Sequence, residues 1–291
     1  MKPDKIVFIV NPVSGYGQGD KTAYNIKKVF TDLNIKYEMI YTYQSGEAID
    51  IASSYNDAII YAVGGDGTLN EVLNGLVKTN SYLGIIPSGS GNDFYKSITS
   101  DKLILPIDIG LINSRYFLNV VSFGLDAQAG ANVNLMKKKH IPLSQLYNAS
   151  FVYTFFNYEA KPMEISYEEK LLFDKYTVFA ICNGNYYGNG FKISPNSKID
   201  DGLFDLCYVG DISKLRTLIL FFKLLKANHL TAKNVGVDQT TQLIVKSTEL
   251  LICNVDGEMI EDDYFDIKLL KRKVKLYNNK KLVNKILDKG K

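Results

Sequence analysis

Three glycine-rich loops carry the residue types best suited to holding phosphate: residues 11–19 (NPVSGYGQG), 64–70 (GGDGTLN) and 87–93 (PSGSGND). Glycine has no Cβ, so its backbone N–H can approach a phosphate oxygen, and a helix start behind the loop adds a partial positive charge. Any one of them alone is equally well read as a turn, because glycine beside Asn, Asp, Ser or Pro is ordinary turn chemistry. Three together imply a polyphosphate ligand. GYGQGDKT approaches a Walker A sequence, but Asp20 stands where the second glycine is required, and Gly15, Gly17 and Gly19 are spaced GxGxG rather than GxGxxG. A conventional P-loop and a dinucleotide fingerprint are therefore both unsupported. Two acidic segments, IDDGLFD at 199–205 and VDGE at 255–258, read by themselves as turns, Asp256-Gly257 as a hairpin turn. The two histidines, His140 and His229, lie in none of these motifs.

The elements that must position the loops follow from periodicity. KIVFIV, KTAYNIKKVFTDL, KYEMIYTY, GEAIDIASSY and DAIIYAV alternate between β-rich runs and helical patterns, a βαβ rhythm. Leu69, Val72, Leu73, Leu76 and Val77 recur at helical spacing and predict one buried face. Thr68 and Glu71 predict a capping box at the start of that helix. LGIIP reads as the next strand and NDFYKSI as a helix after it. Each glycine loop thus follows a strand and precedes a helix, at the carboxyl edge of one sheet where ligands bind.

From about residue 104 the rhythm changes to short β-like segments, ILPIDIGLI, YFLNVVSFGL, MEISYEEKLLF, YTVFAICNG, LFDLCYV, TQLIVKS, LLICNV and FDIKLL, interrupted by helices near 143–157 and 213–228. The chain is expected to divide into an α/β domain at 1–122, a β-sandwich at 123–275 and a C-terminal segment at 276–291 that returns to the first domain.

Its 291 residues, 46% hydrophobic and 22% charged, describe a folded protein with room for two cores. A net charge of +3 does not by itself imply nucleic acid, although basic residues crowd the sequence from Lys268 onward. That stretch reads either as a solvated face or as a surface for anionic headgroups. Cys182, Cys207 and Cys253 are odd in number and set in apolar runs, as reduced core residues are. The first residues are too short in apolar run for a secretory signal. The most hydrophobic segment, LRTLILFFKLLKANHL, contains Lys223 and falls short of the ~20 residues a bilayer span needs. This segment and SQLYNASFVYTFF are candidates for an apolar cleft that holds a lipid chain, although Leu, Phe and Tyr at these spacings more often pack a core. A cytoplasmic protein with transient contact at the membrane surface is the expectation.

Taken jointly, NPVSG at 11–15, GGDGTLNEVLNGL at 64–76, LGIIPSGSGNDF at 83–94, IDDGLFDL at 199–206 and VDGE at 255–258 resemble the diacylglycerol kinase catalytic-domain family, which includes bacterial soluble lipid kinases and is related to the sphingosine kinases. GGDGT alone is shared with NAD kinases and phosphofructokinases; the set of five, in order, is not. Ser90 stands where the family usually has Thr and keeps the hydroxyl. The resemblance implies a Rossmann-like N-terminal domain of the NAD kinase and phosphofructokinase type that binds ATP, a C-terminal β-sandwich, and an active site between them. It implies a nucleotide site lined by Asn11, Pro12, Val13, Ser14, Gly15, Thr42, Gly64, Gly65, Asp66, Gly67, Thr68, Leu69, Asn70 and Ser90. Asp66 is the implied acid near the phosphates and their Mg²⁺, Asp256 the implied proton acceptor, and Glu258 its neighbour at the nucleotide and metal. A structural Mg²⁺ is implied at Asp201 and the carbonyls of Lys198 and Leu203, oxygen donors suited to a hard cation. The implied partners are ATP, a lipid substrate and a membrane surface, with no nucleic acid; a homodimer stays open. Two rival readings are an NAD kinase and a catalytically silent nucleotide- or lipid-binding module. The second is opposed by the presence of both Asp66 and Asp256.

Overall fold

The computed structural model describes residues 5–138, 141 and 145–288. His140 and the last three residues of the basic tail lie outside the described residues. In chain order the first elements are β1 (Lys5–Val10), α1 (Ser14–Asp32), β2 (Glu38–Tyr41), α2 (Glu47–Ser53), β3 (Ala58–Gly64), α3 (Asp66–Leu76), β4 (Tyr82–Pro87), α4 (Asp93–Ser97) and β5 (Ile104–Ile112). There follow β6 (Arg115–Phe117), β7 (Val120–Gly124), α5 (Leu125–Lys138), α6 (Leu146–Asn157), β8 (Pro162–Tyr167), β9 (Lys170–Cys182), β10 (Phe204–Gly210) and α7 (Lys214–Leu225). The chain ends with β11 (Val235–Thr240), β12 (Gln242–Val255), β13 (Glu258–Tyr277) and α8 (Lys280–Asp288).

It divides into two compact units, residues 1–109 with 270–291, and residues 110–269. The divisions fall inside β5 and β13, where the expected bounds were 122/123, read from the change of period, and 275/276, the start of the C-terminal segment. A strand that serves two units carries no composition signal at its middle.

In the first unit β4, β3, β1 and β2 lie side by side in that order, all parallel. Every residue of β3 is buried, as expected for a central strand covered on both faces. On one face Phe8, Ile26, Phe30, Tyr61, Val283 and Ile286 share a core, so α8 packs with α1. On the other, α3 buries Leu69, Val72, Leu73 and Leu76, the face its spacing predicts. A Cβ on Gly75 would come within 2.3 Å of the Ile49 carbonyl oxygen, which explains a glycine where α3 meets α2. The chain runs from β1 outward to β2, then returns to β3 on the other side of β1. The order therefore reverses between β1 and β3, the place where open α/β sheets bind ligands.

The second unit is antiparallel, in the order β11, β10, β9, β7, β12, β13. β9 and β12 are long: one part of each pairs with β7 and another part with β8. Phe117, Phe123, Phe179, Phe204, Val245 and Phe265 fill the interior. This is the β-sandwich expected from the alternating segments. TQLIVKS and LLICNV are one strand rather than two, β12, with an irregularity between Lys246 and Leu251. The three cysteines are free and buried. Among the described residues no helix is long and apolar enough to cross a membrane.

Candidate functional site

The loops after β1, β3 and β4 interlock. The Asn11 N–H donates to the Val63 carbonyl at 3.0 Å and its side-chain amide to Thr68 Oγ1 at 3.3 Å, so a single residue ties the end of β1 to the end of β3. Ser14 Oγ and Ser88 Oγ are 3.0 Å apart, joining the first loop to the third. Two glycines are dictated by this closeness. Gly15 has a left-handed φ of 56°, and a Cβ there would lie 2.1 Å from the Ser88 carbonyl oxygen. A Cβ on Gly89 would lie 2.4 Å from the Gly65 Cα, backbone against backbone. Tyr16 and Gly17 are left-handed too, so α1 opens on a loop rather than on a helical turn.

α3 starts at Asp66, with Gly65 before it and no side-chain cap. The predicted capping box is absent. Thr68 Oγ1 instead accepts the Asn11 amide, and Glu71 accepts from Ser45 Oγ at 3.2 Å and from the Ala48 N–H at 3.3 Å, binding α3 to the start of α2. An uncapped helix start directed by two glycine loops presents N–H donors and a partial positive charge, the chemistry that a polyphosphate needs. Asp66 Oδ1 accepts the Phe94 N–H at 3.3 Å. Burial, with the Asp93 carboxylate nearby adding to it, raises the Asp66 carboxyl above its ordinary range, against N–H donors at Asp93 and Phe94. Lys96 holds Asp93 in an ion pair at 3.1 Å.

The other first-unit residues named from sequence take different places. Pro12 uses its carbonyl to accept the Asp20 N–H, and the exposed Val13 donates its N–H to Asn11 Oδ1. Thr42 follows β2 and is buried, with its N–H and hydroxyl both on the Val10 carbonyl. Leu69 is in the core and its N–H is taken by the Gly65 carbonyl; Asn70 Oδ1 accepts the Asn74 amide. Gly67 and Ser90 are exposed. Ser88, Asn92 and Asp93 were not singled out as site residues, although all three lie in the third loop. Asn92 closes that loop by accepting the Gly89 N–H and donating to the Gly89 carbonyl.

In the second unit Asp256 and Gly257 form the two-residue turn between β12 and β13, with φ of 49° and 97°. Both values are left-handed, as a type I′ hairpin requires. The hairpin reading is correct, and the structure adds what sequence spacing does not show. Asp256 Oδ2 accepts the Leu118 N–H at 2.7 Å, and its Oδ1 accepts those of Asn119 at 2.9 Å and Val120 at 3.0 Å. Three backbone donors thus fix one carboxylate in place. Glu258, two residues on, pairs with Arg115. Lys198, Asp201 and Leu203 lie just before β10, where Asp201 Oδ1 accepts the Leu203 N–H at 3.1 Å. Among the described residues no group of three or more His, Cys, Asp or Glu side chains is arranged to hold a metal.

Residues 5–110 match the family model described as diacylglycerol kinase catalytic domain, and residues 119–275 the one described as YegS C-terminal NAD kinase beta sandwich-like domain. The first match falls on the α/β unit that carries the interlocked glycine loops, and the second on the β-sandwich unit. The chain belongs to the diacylglycerol kinase catalytic-domain family and is a kinase. It is 27% identical over 277 residues to a diacylglycerol kinase of Bacillus subtilis (strain 168), covering 89% of this chain and 90% of that one. It is also 27% identical over 282 residues to a diacylglycerol kinase of Staphylococcus aureus (strain MRSA252), covering 86% and 84%. A crystal structure of a Bacillus anthracis str. Sterne protein superposes with a TM-score of 0.77 at 23% identity, covering 96% of both chains, a likeness of fold.

Proposed function

We propose that the chain transfers the γ-phosphate of ATP, with Mg²⁺, to the hydroxyl of a lipid, diacylglycerol or a related lipid such as phosphatidylglycerol. The observation that carries this reading is the cradle between the ends of β1 and β3, where interlocked glycine loops meet an uncapped helix start. The acceptor class rests on the relatives, which are named diacylglycerol kinases.

In this reading the backbone of residues 11–15 and 64–70, with Thr42 and Ser90, surrounds the nucleotide, and the N–H groups at the start of α3 meet its phosphates. The lipid hydroxyl oxygen attacks the γ-phosphorus, the bond from that phosphorus to the bridging oxygen breaks, and ADP leaves. The hydroxyl proton passes to the Asp256 carboxylate, whose three N–H donors keep it aimed. Asp66 would hold the nucleotide's Mg²⁺, with Glu258 contributing from its ion pair with Arg115. The metal's part is to neutralise charge on the phosphoryl oxygens. A second Mg²⁺ at Asp201 and the carbonyls of Lys198 and Leu203 fits in donor type, all oxygen. With one carboxylate it would keep most of its ligands as water. The protein works in the cytoplasm and meets its substrate at the membrane surface.

The test is transfer of labelled γ-phosphate from ATP to diacylglycerol, phosphatidylglycerol, a sphingoid base and an isoprenoid alcohol in mixed micelles, with NAD as a parallel acceptor. Label in one lipid is the expected result. Label in NAD alone would move the chain to the NAD kinases.

Gly15→Ala is expected to weaken ATP binding at least about tenfold in a nucleotide titration. A left-handed Ala costs about 1 kcal/mol or more, and its Cβ would push the first loop off Ser88. Unchanged affinity would remove this loop from the nucleotide site.

A further inference from the structure

α7 departs from the commoner case in which Leu and Phe at this spacing pack a core: none of its residues is buried. Leu215, Leu218, Ile219 and Phe222 form a stripe at helical spacing and are 40–69% exposed. The opposite side of the helix accounts for its attachment. Phe221 packs on Phe151 and Phe191, and Leu224 lies against the cluster around Val120 and Ile193. α6 extends the apolar surface beside it with Val152 and Phe156, 56% and 64% exposed, and Lys214 bonds the Phe156 carbonyl to hold the two helices together. A contiguous patch of this kind on one unit marks an interaction surface.

The charges along α7 select the occupant, the nearby acids Asp211 and Glu159 lying beside Lys214 at its N-terminal end. From residue 212 to residue 237 there is no acid, while Arg216 and Lys223 border the stripe on one side and Lys226 follows its end. An isologous contact between two copies would set this basic face against itself. An anionic bilayer instead complements both the apolar stripe and its basic border, the pattern of a helix lying in a membrane interface. At 12 residues α7 is ~18 Å long, short of the ~30 Å hydrocarbon core, so it lies on the surface and does not span.

We infer that the α6–α7 face is the surface by which the protein docks on anionic phospholipid bilayers, with Leu218 and Phe222 entering the interface. The choice of a bilayer rests in part on the proposed lipid acceptor, but its test needs no turnover.

The experiment is co-sedimentation of the full chain, without nucleotide, with vesicles of phosphatidylglycerol and phosphatidylcholine at 1:1 and with vesicles of phosphatidylcholine alone. The wild type is expected to bind the anionic vesicles. Leu218→Ser with Phe222→Ser is expected to lower that partition at least tenfold. Arg216→Gln with Lys223→Gln should lower it several-fold on anionic vesicles and little on neutral ones. Partition unchanged in both variants would overturn the inference. So would a loss of self-association in the Ser variant with vesicle binding intact, which would make the face a contact between copies. Micelle phosphorylation of lipid by a variant that no longer binds vesicles supports the docking role. Vesicle binding by a protein that phosphorylates no lipid would overturn the kinase acceptor and leave the docking face standing.

Discussion

Asp256→Asn is expected to lower lipid phosphorylation at least about a thousandfold, within the range that loss of a positioned proton acceptor produces. Asn tolerates the left-handed conformation at this turn, so the hairpin should persist. The substitution is not silent for stability, however. If the amide oxygen keeps the Asn119 and Val120 N–H groups, the amide nitrogen faces the Leu118 N–H, donor against donor. One unpaired buried donor costs about 1–3 kcal/mol, and each kcal/mol lowers Tm by about 2–4 °C for a chain somewhat smaller than this one. The variant should therefore melt several degrees lower, remain folded at the assay temperature, and bind ATP with unchanged affinity. The check is a thermal melt, an ATP titration and a turnover assay on one preparation. Turnover near wild type would remove Asp256 from the mechanism; lost ATP affinity would mean that the loss of rate reports damage elsewhere.

That double role of Asp256 illustrates what the sequence could and could not convey. The three loops, the strands before them and the buried face of α3 were legible because each is written in consecutive residues: a period, then glycines, then a period again. VDGE was legible as a turn, and through resemblance it carries the proposed proton acceptor. Its partners at 118–120 were not, because they are more than 130 residues away and contribute only backbone N–H groups, which any residue type supplies. The same holds for the Ser14–Ser88 contact and for Arg115 beside Glu258.

The capping box fails for a related reason. Thr68 and Glu71 have the right spacing, but each has a tertiary partner that outcompetes the local bond, Asn11 for Thr68 and the start of α2 for Glu71. α7 is the opposite case, a helix whose apolar content was read correctly and whose environment was not. Hydrophobic spacing tells which residues share a face, and nothing in it tells whether protein or lipid covers that face. Asp126 is equally unannounced: buried in the first turn of α5, hydrogen-bonded by Ser122, its carboxyl is pushed up by burial to about 6.

Asp66→Asn is expected to separate activity from stability in the direction opposite to Asp256→Asn. Burial holds the Asp66 carboxyl above its ordinary range, so folding disfavours its ionised form. That cost is fully present at pH values above the raised folded-state value and disappears as the pH falls below the unfolded value of about 4. Asn carries no charge and keeps one oxygen for the N–H donors at Asp93 and Phe94, so with that oxygen shared between them the variant should melt above the wild type at pH 8. The two melting temperatures should converge as the pH is lowered toward 4. Turnover should nevertheless fall at least about a hundredfold and should not return at higher Mg²⁺, since a carboxylate beside the phosphates is what the site loses. A lower melting temperature at pH 8 would mean that the ionised carboxylate is stabilised by its surroundings. Retained turnover would mean that the acid serves the fold of the third loop, through Phe94, and not the phosphates.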